Sequence, residues 1–280
     1  MSIRITTDST SDLGENVQKR GIGVLPLSVI LGPKTYKDGI DITPQDIFAY
    51  VEKTKELPKT AAPSIGDYEE FFRPYVENGD TVIHFNISAK SSSSHSSALG
   101  AAKSFAGKVF VIDSKALSSG QGLLVMKACD LVEEGKSAEE IVEIINSLRS
   151  KVNTSFVPDR LDYLFKGGRC SRMQMYSANL LKIHPVIHMV DGQLEVKRKV
   201  RGSMDKCISS YIQELYEEYQ SYDKTRCFIT HSNADESLVA VAKAKVKELF
   251  LFDEVLETKA GSIVTSHCGR NTLGLLFIAE

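Results

Sequence analysis

Seven serines fall within the ten residues from Ser88 to Ser97, together with Lys90 and His95. Hydroxyls at that density cap helices and satisfy orphan amides. This run also comes after a buried-strand pattern and before a helix pattern. Free amides and the positive end of a helix dipole at such a place welcome an anion. The loop alone does not say which anion. Three further stretches carry chemistry. In Lys59-Thr60-Ala61-Ala62-Pro63-Ser64, Pro63 biases Ala62 toward extended backbone and Ser64 caps the next helix. Thr60 is then left in extended chain with its hydroxyl free, although a plain surface threonine is the simpler reading of that residue. Arg169 comes after Gly167-Gly168 at the end of an apolar segment, where a guanidinium can grip a phosphate or carboxylate at two points. His267 lies between two strand patterns, beside Gly269, as a donor to an anion or a locally satisfied ring.

Other chemistries are excluded. Gly135-Lys136-Ser137 resembles the end of a phosphate-binding loop, but Asp130 stands where that loop needs glycine. There is no GxGxxG dinucleotide fingerprint and no GxSxG nucleophile elbow. His184 and His188 are four apart, yet Pro185 and β-branched neighbours make that segment a strand and not a metal-binding helix. Five scattered cysteines without a CxxC pair argue against a disulfide framework or zinc site and for free thiols in a reducing cytoplasm. With 34 basic and 36 acidic residues the net charge is −2, so bulk charge gives no case for nucleic acid. The cluster Lys197, Arg198, Lys199, Arg201 is short. No apolar run of about 18 residues is present, so no integral membrane association is expected, nor is a signal core visible at the N-terminus.

The elements that must position these residues form an α/β chain. At 280 residues, two domains are expected, and we place their boundary near Ser150, giving 1–150 and 151–280. The first half alternates strand, polar loop and helix, the signature of a parallel sheet covered by helices. Strands are expected at 3–5, 24–31, 81–87 and 108–113. Thr43 with Asp46, Ser64 with Asp67 and Ser137 with Glu140 mark helix starts. Ligands in such sheets bind at the carboxyl ends of strands, which puts Asp8–Asp12, Ser88–Ser97 and Asp113–Gln121 on one edge. The second half reads as a mixed sheet. A hairpin turns at Asp191-Gly192, since that pair suits two positive φ angles. Helices at 204–219 and 236–250 and strands at 227–231, 253–257, 261–265 and 272–278 complete it.

Together these pieces resemble the bacterial DegV family: Asp8-Ser9-Thr10-Ser11-Asp12-Leu13, Lys59-Thr60 with Pro63-Ser64, Leu161-Asp162-Tyr163-Leu164 with Lys166-Gly167-Gly168-Arg169, Leu181-Lys182-Ile183-His184-Pro185, and Thr265-Ser266-His267 with Thr272-Leu273-Gly274. The match in order and spacing spans nearly the whole chain. The resemblance implies a two-domain α/β protein that binds a long-chain fatty acid between its domains. It further implies that the carboxylate is presented to a separate ATP-binding fatty acid kinase subunit, which makes an acyl phosphate for phospholipid synthesis. The chain would need no cofactor beyond the fatty acid and no ATP site of its own. By position, Thr60 and Ser92, with Ser93 beside it, would contact the carboxylate, and His267 would lie close to it. Arg169 and Arg201 would work with the kinase. The chain departs from the family pattern at three places. The family's Leu-Ser-Gly-Thr loop reads Ser91-Ser92-Ser93-Ser94, Ala61 stands where serine is usual, and Gly-Pro-Gly-Thr reads Gly269-Arg270-Asn271-Thr272. Two readings compete: a serine-dependent hydrolase or acyl-transfer enzyme using Ser92 and His267, and a lipid carrier or sensor that serves no kinase.

Overall fold

The computed structural model describes residues 2–169 and 183–280. Cys170 and the Leu181-Lys182 part of the family resemblance lie outside them. Strands β1 (Ile3–Asp8), β2 (Gly23–Leu25), β6 (Thr81–Asn86) and β7 (Val109–Asp113) form a parallel sheet in the order β2-β1-β6-β7. Strands β3 (Ser28–Leu31), β4 (Lys34–Lys37) and β5 (Lys59–Ala61) make a small antiparallel sheet. The rest build one mixed sheet: β8 (Val152–Asn153), β9 (Ser155–Val157), β10 (Ile183–Val190), β11 (Gln193–Arg201), β12 (Arg226–Ser232), β13 (Glu254–Lys259) and β14 (Thr272–Ile278). Its order is β11-β10-β9-β14-β12-β13, with β8 beside β14.

The helices are α1 (Asn16–Lys19), α2 (Pro44–Thr54), α3 (Ile65–Glu77), α4 (Ser94–Ala102), α5 (Ser119–Glu133), α6 (Ala138–Leu148), α7 (Asp162–Lys166), α8 (Met204–Glu218), α9 (Glu236–Leu249) and α10 (Ser262–Cys268). Local capping pairs set their starts. The carboxylates of Asp46, Asp67 and Glu140 accept the backbone N–H of Thr43, Ser64 and Ser137 at 2.9, 2.7 and 2.8 Å. The hairpin turns at Asp191 and Gly192 with φ of 45° and 81°. Helix α5 carries the main core. Leu123, Leu124 and Met126 pack with Ile5, Ile83 and Phe85 of the parallel sheet and with Phe228 and Leu276 of the mixed sheet. One apolar core thus spans both sheets, and its burial is the main stabilising term.

Two expected strands are corrected. The run 24–31 is broken at Pro26, which has no N–H to continue a ladder; β2 joins the parallel sheet and β3 the small one. Residues 261–265 do not form a strand but open α10. The β-branched residues there favour a strand, but two distant acids decide otherwise. Asp12 accepts the Gly261 N–H at 2.8 Å and Asp38 accepts the Ser262 N–H at 2.8 Å. Carboxylates at the positive end of a helix satisfy its orphan donors.

These acids are buried, and burial raises both above the usual carboxylate range. Asp12 is pushed up to about 8, first by desolvation and further by the neighbouring charges of Asp38 and Asp8. Its carboxylate also accepts the Ser118 hydroxyl. In the unfolded chain Asp12 titrates near its ordinary 3.8. Between these values the native state keeps a proton that the unfolded state has lost. Stability from this group is therefore complete below about pH 4 and is lost as pH rises toward about 8. The denaturant midpoint of the wild type should fall through this window, relative to an Asp12→Asn variant that cannot titrate. Parallel pH profiles of the two proteins would overturn the assignment.

Candidate functional site

Above the carboxyl ends of β1 and β6, the structure encloses a cavity of about 340 Å³. Ile87, Leu117, Leu164, Leu194, Val264 and Cys268 make its apolar walls. Thr60, Ser91, Ser92, Ser93, His267 and Arg169 line it with polar groups. Leu117, Val264 and Cys268 also border a second, narrower recess of about 30 Å³ that reaches Phe156, Gly274 and Leu276. The shape is that of a short polar end opening onto apolar depth.

Thr60 sits on β5, fixed by its pairing with Val29 of β3. His267 lies in the last turn of α10, not between strands as its sequence suggests. Their side chains meet, with Thr60 Oγ1 2.9 Å from His267 Nε2. His267 Nδ1 is buried with no partner among the described residues. It lies against Gly167, where a Cβ would come within 2.7 Å of that nitrogen, so the Gly-Gly pair makes room for the ring. Burial, and secondarily the charge of Arg169, pushes the histidine down to about 4, so it is neutral at pH 7. An orphaned N–H costs more than an orphaned ring acceptor, which assigns the proton to Nε2. His267 then donates to Thr60, and the Thr60 hydroxyl hydrogen is free to donate into the cavity. Among the described residues no carboxylate holds Nδ1, and Ser92 bonds Ser94 rather than His267. The orienting acid of a serine triad is absent from this arrangement.

The serine loop is built locally. The Ser88 hydroxyl donates to Gly192 O at 2.7 Å, tying the loop to the hairpin turn. Ser92 Oγ accepts the Ser94 N–H at 3.2 Å, and the two hydroxyls lie 2.9 Å apart. Ser93, where the resemblance implies glycine, adopts φ −77° and ψ 0°, which any residue can hold. Arg169 is exposed at the mouth, its Nη1 donating to Gly167 O at 2.7 Å. It also borders a smaller, mostly polar cavity with Lys90, Ser91 and Glu195.

The structure therefore brings Thr60, Ser92, Ser93, His267 and Arg169 around one cavity. Arg201 is not among them. It ends β11 opposite Ile183, seven residues beyond Leu194, about 24 Å along an extended strand. The three expected loops do share one edge: Asp8 accepts from Ile87 N at 2.9 Å and from Gln121 Nε2 at 3.1 Å. Sequence reasoning missed the work of Asp12, Asp38 and Ser118. Ser118 takes φ 53° and ψ −145°, a strained conformation for a residue with a side chain, and is held by Asp12 beside the wall residue Leu117. A non-glycine residue in that region leaves no signature in the sequence.

Comparison with known proteins agrees with this architecture. The sequence profile of the DegV family, described as uncharacterised proteins, matches residues 2–280. A DegV domain-containing protein of Clostridium acetobutylicum is 34% identical over 280 residues, covering 99% of each chain. A solved DegV family protein from Thermus thermophilus, described as fatty acid binding, superposes with a TM-score of 0.92 at 32% identity over 100% of both chains. A stearic acid-binding protein from Eubacterium ventriosum superposes with a TM-score of 0.85 at 27% identity, covering 100% of this chain and 98% of that one. On the profile, the sequence identity and the shared fold, the chain belongs to the DegV family.

Proposed function

We propose that this protein binds a long-chain fatty acid in the cavity below the serine loop and presents its carboxylate to a separate ATP-binding kinase, which converts it to an acyl phosphate. The observation that carries the reading is the Thr60–His267 pair at the polar end of an otherwise apolar cavity. Fatty acid binding by structural relatives supports it. The division of labour follows from magnitudes. Burying a saturated tail of roughly sixteen carbons offers about 10 kcal/mol gross, at about 0.8 kcal/mol per methylene. Ordering the ligand subtracts from that. The tail gives affinity, while the carboxylate must be hydrogen-bonded, because an unpaired buried anion is prohibitive.

In this reading the Thr60 hydroxyl donates to the carboxylate, itself polarised by the His267 N–H. Ser92, Ser93 and the amides leading into α4 supply further donors. Arg169 at the mouth steadies the phosphate or the docked kinase. Arg201, distant from the cavity, serves only as a surface contact for that partner. Phosphoryl transfer needs positioning and charge stabilisation above all, and in this reading the kinase subunit supplies the ATP site. The domains are residues 1–150 and 151–280, with the ligand where they meet, and the protein works in the cytoplasm as a carrier of an insoluble acid.

Native mass spectrometry of protein purified from a bacterial host, followed by lipid extraction, should find one fatty acid per chain. A chain that stays empty after incubation with mixed fatty acids would remove the proposal. Thr60→Ala loses a hydrogen bond to a charged group, worth about 1.5–3 kcal/mol, so affinity for palmitate should fall about 10- to 100-fold. An unchanged Kd would place the carboxylate elsewhere. With a kinase partner supplied, Arg169→Ala should cut acyl phosphate formation well beyond any loss of fatty acid binding. Equal losses would deny it a role toward the partner.

A further inference from the structure

A cavity of about 810 Å³ lies apart from the acyl cavity and shares no lining residue with it. It is a cleft where α5 and α6 meet the end of α8 and the segment after α9. Strand β14 separates the two sites. Thr272, Gly274 and Leu276 border the acyl recess, and Ile278, two residues or about 7 Å further along the strand, borders the cleft. Cavities of about 300–1,000 Å³ at the junction of two structural units are the usual size and place of a ligand site.

Two features of the lining specify the ligand. The first is charge. Lys127, Lys151 and Lys224 reach the cleft, against Asp223 and Glu280. Both acids already have donors: Asp223 takes Lys127 at 3.5 Å and the Thr225 N–H at 2.9 Å, and Glu280 takes the Ser221 hydroxyl. The ammonium groups of Lys151 and Lys224 have no ion pair or acceptor among the described residues. The second is apolar surface. Leu251 is 72% exposed and Tyr216 38% exposed, both on the cleft, and the half-buried Ile144, Leu148 and Leu249 continue that surface. Contiguous apolar surface rimmed by polar and charged groups is where ligands and partners bind. Leu251 is also held in place, since its N–H donates to the Tyr222 hydroxyl at 2.9 Å and Phe250 and Phe252 flank it in a ring cluster with Tyr222 and Phe277.

We propose that this cleft is a second ligand site, independent of the acyl cavity, for a small amphiphilic anion. The anionic group, a carboxylate, sulfonate or phosphate, would be bridged by Lys151 and Lys224. The hydrophobic body would lie on Leu251, Tyr216 and Leu148. The site does not depend on the fatty acid reading, because it uses none of the same residues.

The probe is 8-anilinonaphthalene-1-sulfonate, an aromatic anion whose fluorescence reports an apolar site. It is titrated into full-length protein loaded with one equivalent of palmitate, which fills the acyl cavity and leaves no free fatty acid to compete for the cleft. One binding site is expected, with Kd raised at least tenfold in a Lys151→Ala/Lys224→Ala variant and retained within about twofold in the Lys151→Arg/Lys224→Arg variant. Leu251→Asp should abolish the signal while thermal unfolding stays near wild type. A Thr60→Ala/His267→Ala variant should bind the probe as wild type does, which separates failure of this site from failure of the acyl reading. Probe binding that is insensitive to both lysine variants, or that disappears in the Thr60→Ala/His267→Ala variant, overturns the proposal.

Discussion

Two buried carboxylates on the first turn of α10 hold this structure's site together. Asp12 comes from the loop after β1 and Asp38 from the segment after β4, and each takes one of the two leading amides of α10. Every α10 residue that faces the cavity, Ile263, Val264, His267 and Cys268, depends on that seating. Asp12 also holds the Ser118 hydroxyl, so the same carboxylate fixes the start of α5. Desolvating two acids side by side is costly. The raised Asp12 pKa is how the fold lowers that cost, since a carboxyl that keeps its proton at neutral pH is not a buried anion. The amide hydrogen bonds survive protonation, because a neutral carboxyl still accepts through its carbonyl oxygen.

The same competition sets His267. Its place in the last turn of a helix favours the charged ring, by about 0.3–1 kcal/mol, or well under one pKa unit. Burial and Arg169 act the other way, from 6.5 down to about 4, and so burial wins. A neutral ring donates one N–H and no charge. The polar end of the cavity is thus made of hydroxyls, a neutral imidazole and backbone amides, with the one nearby guanidinium among the described residues held at the rim rather than inside. Such a site can hold an anion without neutral
ising it, leaving its charge available at the mouth.

How much of this is legible in the sequence divides along the range of the interactions. The capping pairs Thr43–Asp46, Ser64–Asp67 and Ser137–Glu140 and the Asp191-Gly192 turn are local, three residues apart or fewer, and each stands where its residues predict it. The parallel sheet and its loop-bearing edge follow from the alternation of patterns. Helix α10 reads as a strand because its nucleating contacts lie 249 and 224 residues away. Nothing near Ile263 and Val264 announces a helix. For the site, residue types and family spacing point to Thr60, Ser92, Ser93, His267 and Arg169. Neither can reveal the Thr60–His267 contact, which joins β5 to α10 across 207 residues. Arg201 shows the same limit from the other side. Motif alone groups it with Arg169, and strand geometry carries it away.

Backbone geometry decides what the departures from the family pattern cost. Ser93 in place of glycine costs no backbone strain at φ −77°. It adds an exposed hydroxyl beside the first turn of α4. Ala61 in place of serine removes a hydroxyl from the cavity wall. The two changes move one potential donor from the β5 side to the serine loop, with the pair Thr60–His267 unaltered between them. Asn271 replaces a glycine at φ 59°, a left-handed position that asparagine tolerates better than most residues, and its side-chain oxygen accepts the Asp235 N–H at 3.2 Å. Arg270 stacks over Phe48 of α2 at 4.6 Å, so its charge is engaged by α2 rather than in the cavity. The substitutions thus alter the cavity lining at Ala61 and Ser93 and its surroundings at Arg270 and Asn271, while the contacts that seat α10 and its histidine stay intact.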